Sequence, residues 1–270
     1  MEKINYNNHN LGLNRAEERM GKVYVVSSGK GGTGKTMFTV NFGSILAKRG
    51  KSVVLIDLDM GLRNLDLYFG LENNVVYDVH DVLTGMCRIK QALIRDKRFA
   101  DLYIMASSPE RNDGYLTPLH MKVLCEKLKN TYDYVVIDAP SGIDDGLVIA
   151  SAGADEAIII SSPDYSAIRD ADNLDRQLVS MGVDTRHLVI NNVEAELMAS
   201  GYSPKLREIT AMLKPRLAGV IQADPNIRIS TNLGIPIVLK EGTYIEENFN
   251  NICSRILDVN NDELDKEFRN

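Results

Sequence analysis

The sequence predicts one doubly wound α/β domain, a mostly parallel sheet with helices on both faces. Three observations carry this. Short β-branched runs, nearly all apolar, recur from Lys22 onward; amphipathic stretches of helical period separate them; and no Pro/Gly/Ser linker or internal repeat divides them. With 270 residues, 44% of them hydrophobic and 25% charged, the chain can build a sizeable core, and overall disorder is excluded.

In chain order, residues 1–20 lack periodicity and read as a flexible polar arm, residues 21–258 as the domain, and residues 259–270 as an acidic tail. The arm has no apolar stretch of a signal peptide, and no run approaches the ~18 apolar residues of a membrane span. Strands are expected at Val23–Ser27, Val53–Asp57, Leu102–Met105, Tyr134–Asp138, Ala157–Ser161, His187–Asn191 and Leu217–Ile221. Helical spacing puts Phe38, Phe42 and Ile45 on one apolar face, and Ile245, Phe249, Ile252 and Ile256 on another near the end of the chain. Alternating strands and helices with right-handed crossovers place ligands beyond the carboxyl ends of the strands.

Charge and cysteine usage narrow the function. A net charge of −6 argues against a protein held mainly by nucleic-acid phosphates. Three widely spaced cysteines, Cys87, Cys125 and Cys253, exclude a disulfide framework and a CxxC metal site and predict a reduced cytoplasmic chain. His9, His80, His120 and His187 lack ligand spacing and read as surface or helix-end residues. Ser27, Ser28 and Ser141 flank turns without a His–Asp pattern, so serine-hydrolase chemistry is not expected.

The first strand runs into Gly29-Lys30-Gly31-Gly32-Thr33-Gly34-Lys35-Thr36, and a helix follows at once. This is G-x-x-x-x-G-K-[ST] in a strand–loop–helix context: glycines turn the backbone so that N–H groups and the helix N-terminus hold phosphate oxygens. Lys35 reaches the β- and γ-phosphates, and the Thr36 hydroxyl ligates Mg²⁺. Lys30 is surplus to one nucleotide; it is either a solvated surface lysine or a cation that reaches a partner's nucleotide. Asp57 and Asp59 close the second strand and Asp138 the fourth. Alone, such residues read equally as caps and turns. Beside a phosphate loop they read as a support for Mg²⁺ and an orienter of water, with Asp57 and Asp59 on one side of the strand by the period of two.

Lys30 inside KGGTGKT resembles the deviant Walker A motif of the ParA/MinD family of P-loop NTPases, of SIMIBI type. The run Asp57-Leu58-Asp59-Met60-Gly61-Leu62-Arg63-Asn64-Leu65-Asp66-Leu67 is similar to its MinD branch, the septum site-determining ATPases. So are Val75-Val76-Tyr77-Asp78, Gln91-Ala92-Leu93-Ile94, Ala154-Asp155-Glu156-Ala157-Ile158-Ile159 and Arg169-Asp170-Ala171-Asp172. The resemblance implies an ATPase with ATP and Mg²⁺ that forms a face-to-face homodimer on ATP and hydrolyses it slowly to release the dimer.

By the same resemblance, Lys30 contacts the other subunit's phosphates, Asp57 assists Mg²⁺, Asp59 positions the water and Asn64 lies near it. Asp138 becomes the Walker B acid, Gly142 belongs to the second switch, and Asn191 and Pro225 contact adenine. Arg169, Asp170 and Asp172 meet a regulator of MinC/MinE type. Met37 completes the loop where the family commonly has a second Thr.

The tail departs from the family. Leu264 and Phe268 share a helical face, but acids outnumber bases, whereas an interfacial helix needs Lys/Arg beside its apolar face. Membrane contact is therefore expected only through a partner or another surface. Two alternatives stand beside septum placement. FlhG-type flagellar-number regulators also carry an N-terminal extension, although this one shows no convincing form of their extension motif, and a ParA-like DNA carrier would use the basic cluster Arg88, Lys90, Arg95, Lys97 and Arg98. An electron-transfer iron protein is excluded, because no cysteine lies beside Asp138.

Overall fold

The computed structural model describes residues 20–109 and 116–257. The expected arm, but for Met20, and the acidic tail lie outside the described residues. The strands β1 (Lys22–Ser27), β2 (Val53–Asp57), β3 (Ile94–Arg95), β4 (Leu102–Met105), β5 (Tyr134–Asp138), β6 (Glu156–Ser161), β7 (Thr185–Val193) and β8 (Arg216–Gln222) make one sheet in the order β3-β4-β2-β5-β1-β6-β7-β8. All pairings are parallel except that of β3 with β4. The expected strands are all present, to within two residues at their ends. The antiparallel edge strand β3 is the addition; two residues are too few to show a period.

Alternating side chains of each strand feed two cores. Val23 and Val25 of β1 face the helices Pro118–Lys129, Asp145–Ser151 and Tyr165–Ser180, while Tyr24 and Val26 face the helices Lys35–Lys48 and Tyr244–Leu257. In the second core Phe38 stacks on Phe42 with centroids 5.6 Å apart and meets Phe249 at 5.9 Å. Ile245, Ile252 and Ile256 are buried beside them. Polar clamps fix the same helix: the Lys48 Nζ donates to Glu246 Oε1 and to the Val238 carbonyl, each at 3.0 Å. The last described helix is thus packed on the sheet, and its apolar face is occupied. No helix among the described residues is long and apolar enough to cross a membrane.

His187 corrects its expected surface position. It is buried in β7, its Nε2 2.9 Å from Glu156 Oε2, and Lys22 pairs with the same carboxylate. A lone histidine in an apolar run gives no sign of an ion pair that forms only when β1, β6 and β7 align. The Phe249→Ala chain should lose about 3–5 kcal/mol of stability, the usual cost of emptying a buried aromatic site. Urea unfolding monitored by circular dichroism measures it, and a loss near zero would remove this helix from the core.

Candidate functional site

The loop leaving β1 is shaped by close approaches that the sequence permits only with glycine. A Cβ on Gly29 would stand 2.4 Å from the Asp170 carbonyl oxygen. Gly34 has φ of 94°, and its Cβ would stand 2.3 Å from Asn191 Nδ2. That Nδ2 donates to the Thr33 carbonyl at 2.7 Å, and the Ser28 hydroxyl donates to the Lys30 carbonyl at the same distance. At Gly31 and Gly32 the loop is open: a Cβ on Gly32 would meet nothing within 4 Å, and one on Gly31 only Ser141 Oγ at 3.6 Å. The next residue, Thr33, buries its Oγ1 without a hydrogen-bond partner. An unfilled glycine cradle, an orphaned hydroxyl and a helix N-terminus fit a phosphate chain.

Lys35 starts the helix and is 7% exposed. Thr36 donates to Asp138 Oδ2 at 2.6 Å, and Thr39 to Asp138 Oδ1 at 3.3 Å. Met37 buries its thioether in the core, so what it offers a phosphate is its backbone N–H in the first helical turn.

Asp57 and Asp138 are register partners on β2 and β5, and both are buried. Burial, then the neighbouring Asp57 charge, push the Asp138 carboxyl up to about 7 against the pull of Thr36 and Lys35. Burial likewise raises Asp57 to about 6, opposed by the backbone N–H groups of Leu65, Asp59 and Asn64. Those bonds are 3.0, 2.9 and 3.1 Å long. Two buried carboxylates and a threonine hydroxyl are the oxygen set that Mg²⁺ takes, so the residues present fit the ion.

β2 ends at Asp57, and a turn that brings the Asp59 N–H onto the Asp57 carboxylate follows. Beyond that turn the Asp59 charge is near enough to push both Asp57 and Asp138 upward. Asp59 lines a cavity of about 560 Å³ with Pro140, Ser141 and Asp144. Asn64 is half-buried at the start of the helix Leu65–Phe69. The Gly142 N–H donates to the Ser28 carbonyl, which ties the turn after β5 to the phosphate loop.

The Lys30 ammonium lies within its own chain, 3.1 Å from Ser166 Oγ and 3.6 Å from Asp164 Oδ1. Burial opposes the Asp164 charge, but Ser162, the Ala167 N–H, Ser166 and Lys30 outweigh it and hold the carboxyl below its usual range. Sequence reasoning missed Asp164 and Ser166. Ser162-Pro163-Asp164 is legible as a helix cap, yet nothing in it announces a lysine 134 residues earlier.

Asn191 is not at a strand end. β7 runs on to Val193 through an irregularity, with Asn192 at φ of 58°, and Asn191 braces the loop through Thr33. Pro225 opens the helix Pro225–Asn232, capped by Asp224. Arg169 is 76% exposed on the helix Tyr165–Ser180, near Asp170, and Asp172 pairs with Arg176. Within the basic cluster, Arg98 is bound to Asp96, the Phe69 carbonyl and the Gly234 carbonyl, and Arg95 to the Ala100 carbonyl.

Both carboxyls sit above their ordinary 3.8, so the folded chain holds these protons more tightly than the unfolded one. Nucleotide-free stability should then fall as pH rises through this range towards about 7. Asp138→Asn should flatten that slope, stabilise the nucleotide-free chain at pH ~7.5 by on the order of 2 kcal/mol, and abolish Mg²⁺-dependent nucleotide binding. Thermal melts from pH ~5 to ~8 read the slope; an unchanged slope would locate the proton uptake elsewhere.

A family model described as an AAA domain matches residues 21–181. The septum site-determining protein MinD of Bacillus subtilis is 40% identical over 240 residues, covering 88% of this chain and 90% of that one. The MinC:MinD cell division complex of Aquifex aeolicus superposes with a TM-score of 0.82 at 38% identity, covering 88% of this chain and 96% of that chain. The MinD of Pyrococcus horikoshii, solved with Mg-ADP, gives a TM-score of 0.77 at 27% identity over 91% and 98% of the two chains. The chain belongs to the MinD family of septum site-determining proteins, within the ParA/MinD deviant Walker A ATPases.

Proposed function

We propose that this chain is an ATP-switched regulator of septum placement that pairs with a second copy when both hold ATP. The observation that carries the reading is Lys30, a lysine which its own loop does not need. Its anchors, Asp164 and Ser166, are about half-exposed or exposed, so releasing it costs little. In the pair, Lys30 leaves them and crosses to the partner's phosphates. A cation supplied in trans accelerates phosphoryl transfer by ~10³–10⁵, which leaves the unpaired subunit slow.

The loop glycines, Thr33 and Lys35 hold the phosphates, while Asn191 and Pro225 border the adenine. Thr36, Asp57 and Asp138 would hold Mg²⁺, which when bound would neutralise charge on the phosphates. Asp59 orients the attacking water beside Asn64. Loss of the γ-phosphate removes the anion that holds both Lys30 side chains, and the pair loosens.

A regulator of MinC/MinE type engages Arg169, Asp170 and Asp172. Gly29 lies against the Asp170 carbonyl, so pressure on that helix reaches the phosphate loop. The protein works in the cytoplasm and reaches the inner face of the membrane through its partner.

Light scattering with a non-hydrolysable ATP analogue tests the reading. The wild-type chain should double in mass, Lys30→Ala should bind nucleotide yet stay single, and Asp59→Ala should pair and remain paired with ATP itself. Single wild-type copies at saturating analogue would overturn it.

A further inference from the structure

Arg98 lies in the turn between the edge strands β3 and β4, and its guanidinium is filled with partners. Its Nε and Nη2 donate to the buried Asp96 carboxylate at 3.0 and 2.6 Å. Nη2 also donates to the Phe69 carbonyl at 2.7 Å, and Nη1 to the Gly234 carbonyl at 2.9 Å. The guanidinium carbon stands 5.8 Å from the centre of the Phe69 ring. A local ion pair explains the bond to Asp96. It does not explain two carbonyls from two other segments, which one planar fork of donors reaches together.

Those two carbonyls belong to the ends of helices that lead to the nucleotide site. Phe69 closes the helix Leu65–Phe69, at whose start the N–H groups of Asn64 and Leu65 hold the Asp57 carboxylate. Gly234 follows the helix Pro225–Asn232, which Pro225 opens. Free carbonyls at helix ends attract a cation, and Arg98 supplies one cation to both ends. The helices also touch directly. Gly70 and Gly234 have φ of 64° and 63°, and a Cβ on Gly234 would stand 2.7 Å from the Gly70 nitrogen and Cα. The Thr231 hydroxyl donates to the Ile227 carbonyl at 3.0 Å, so in its bond with Tyr68 it accepts from the phenol.

We propose that Arg98 is a positioning residue that joins the helix beside Asp57 and the helix opened by Pro225 into one body, so that the adenine side and the Mg²⁺ side of the nucleotide site respond together. This rests on the nucleotide-site reading given above. A base held at Pro225 steadies the N–H groups that aim Asp57, and an ion at Asp57 steadies the base in return, by the same factor. Pyrophosphate fills the phosphate loop without a base, so its binding lacks this contribution.

Calorimetry on the full chain tests the link, with ADP and with pyrophosphate, each with and without Mg²⁺. The readout is the factor by which Mg²⁺ tightens each ligand. Chelation of Mg²⁺ in solution is the same for every variant and cancels between them. Arg98→Lys keeps a cation for Asp96 but loses the fork. It should cut the ADP factor about fivefold or more, while the pyrophosphate factor and the Mg²⁺-free ADP affinity stay within about twofold of wild type.

An unchanged ADP factor overturns the proposal. So does an equal fall for both ligands, which would confine Arg98 to the Mg²⁺ side, or a matching fall in Mg²⁺-free ADP affinity, which would make it a support of the fold alone. If Arg98→Lys does not fold, Tyr68→Phe decides, since it removes one hydroxyl from the same helix contact: a reduced ADP factor supports the link and an unchanged one overturns it. A wild-type chain that binds neither ligand overturns the nucleotide-site reading itself, and the role of Arg98 with it.

Discussion

Asp57 and Asp138 lie side by side in the middle of the sheet, buried on adjacent parallel strands, and the need to satisfy two buried carboxyls organises what surrounds them. Neither sits there passively. Asp57 gathers the N–H groups of Asp59, Asn64 and Leu65, which fixes the turn after β2 and the first turn of the next helix. Asp138 gathers the hydroxyls of Thr36 and Thr39, which fixes the start of the phosphate-loop helix. A divalent cation placed at this pair would turn mutual repulsion into shared attraction and draw both segments towards one point.

The loop that meets this pair is rigid for reasons of space. Gly29 is pressed against the helix Tyr165–Ser180 and Gly34 against Asn191, so the loop is pinned on the side of β1 where β6 and β7 lie. The irregularity at Asn192 leaves Asn191 out of the regular β7–β8 register, and its amide holds the Thr33 carbonyl. The same contacts join the phosphate loop to the helix Tyr165–Ser180, because the residue that limits Gly29 is Asp170.

Much of this was legible in the sequence. Buried parallel strands announce themselves as apolar runs, and the strand–loop–helix context made the glycine loop unambiguous. The buried faces of Phe38–Ile45 and Ile245–Ile256 followed from helical spacing alone. What escaped were contacts between distant segments: the Lys30 anchors at Asp164 and Ser166, the His187–Glu156–Lys22 group, and the brace from Asn191 to Thr33. Each depends on which strands become neighbours, and a local period carries no such information. The period of two does not by itself place Asp59, because it holds only while the strand lasts, and the aspartate at the tip ends β2 by taking the N–H of the residue two positions on.

In the proposed pair, the placement of Lys30 bears on how a subunit would stay single before it binds nucleotide. An ion pair between groups that are 47% and 48% exposed is worth at most ~1 kcal/mol, too little to act as a lock against a triphosphate. Two copies without phosphates would bring Lys30 and Lys35 of each face together with no anion between them. ATP would supply that anion, and a preference for pairing would follow from its differential affinity for the paired state. Asp164 and Ser166 keep the long cationic side chain ordered, so its crossing would exchange one set of oxygens for another and would not have to order a free chain end.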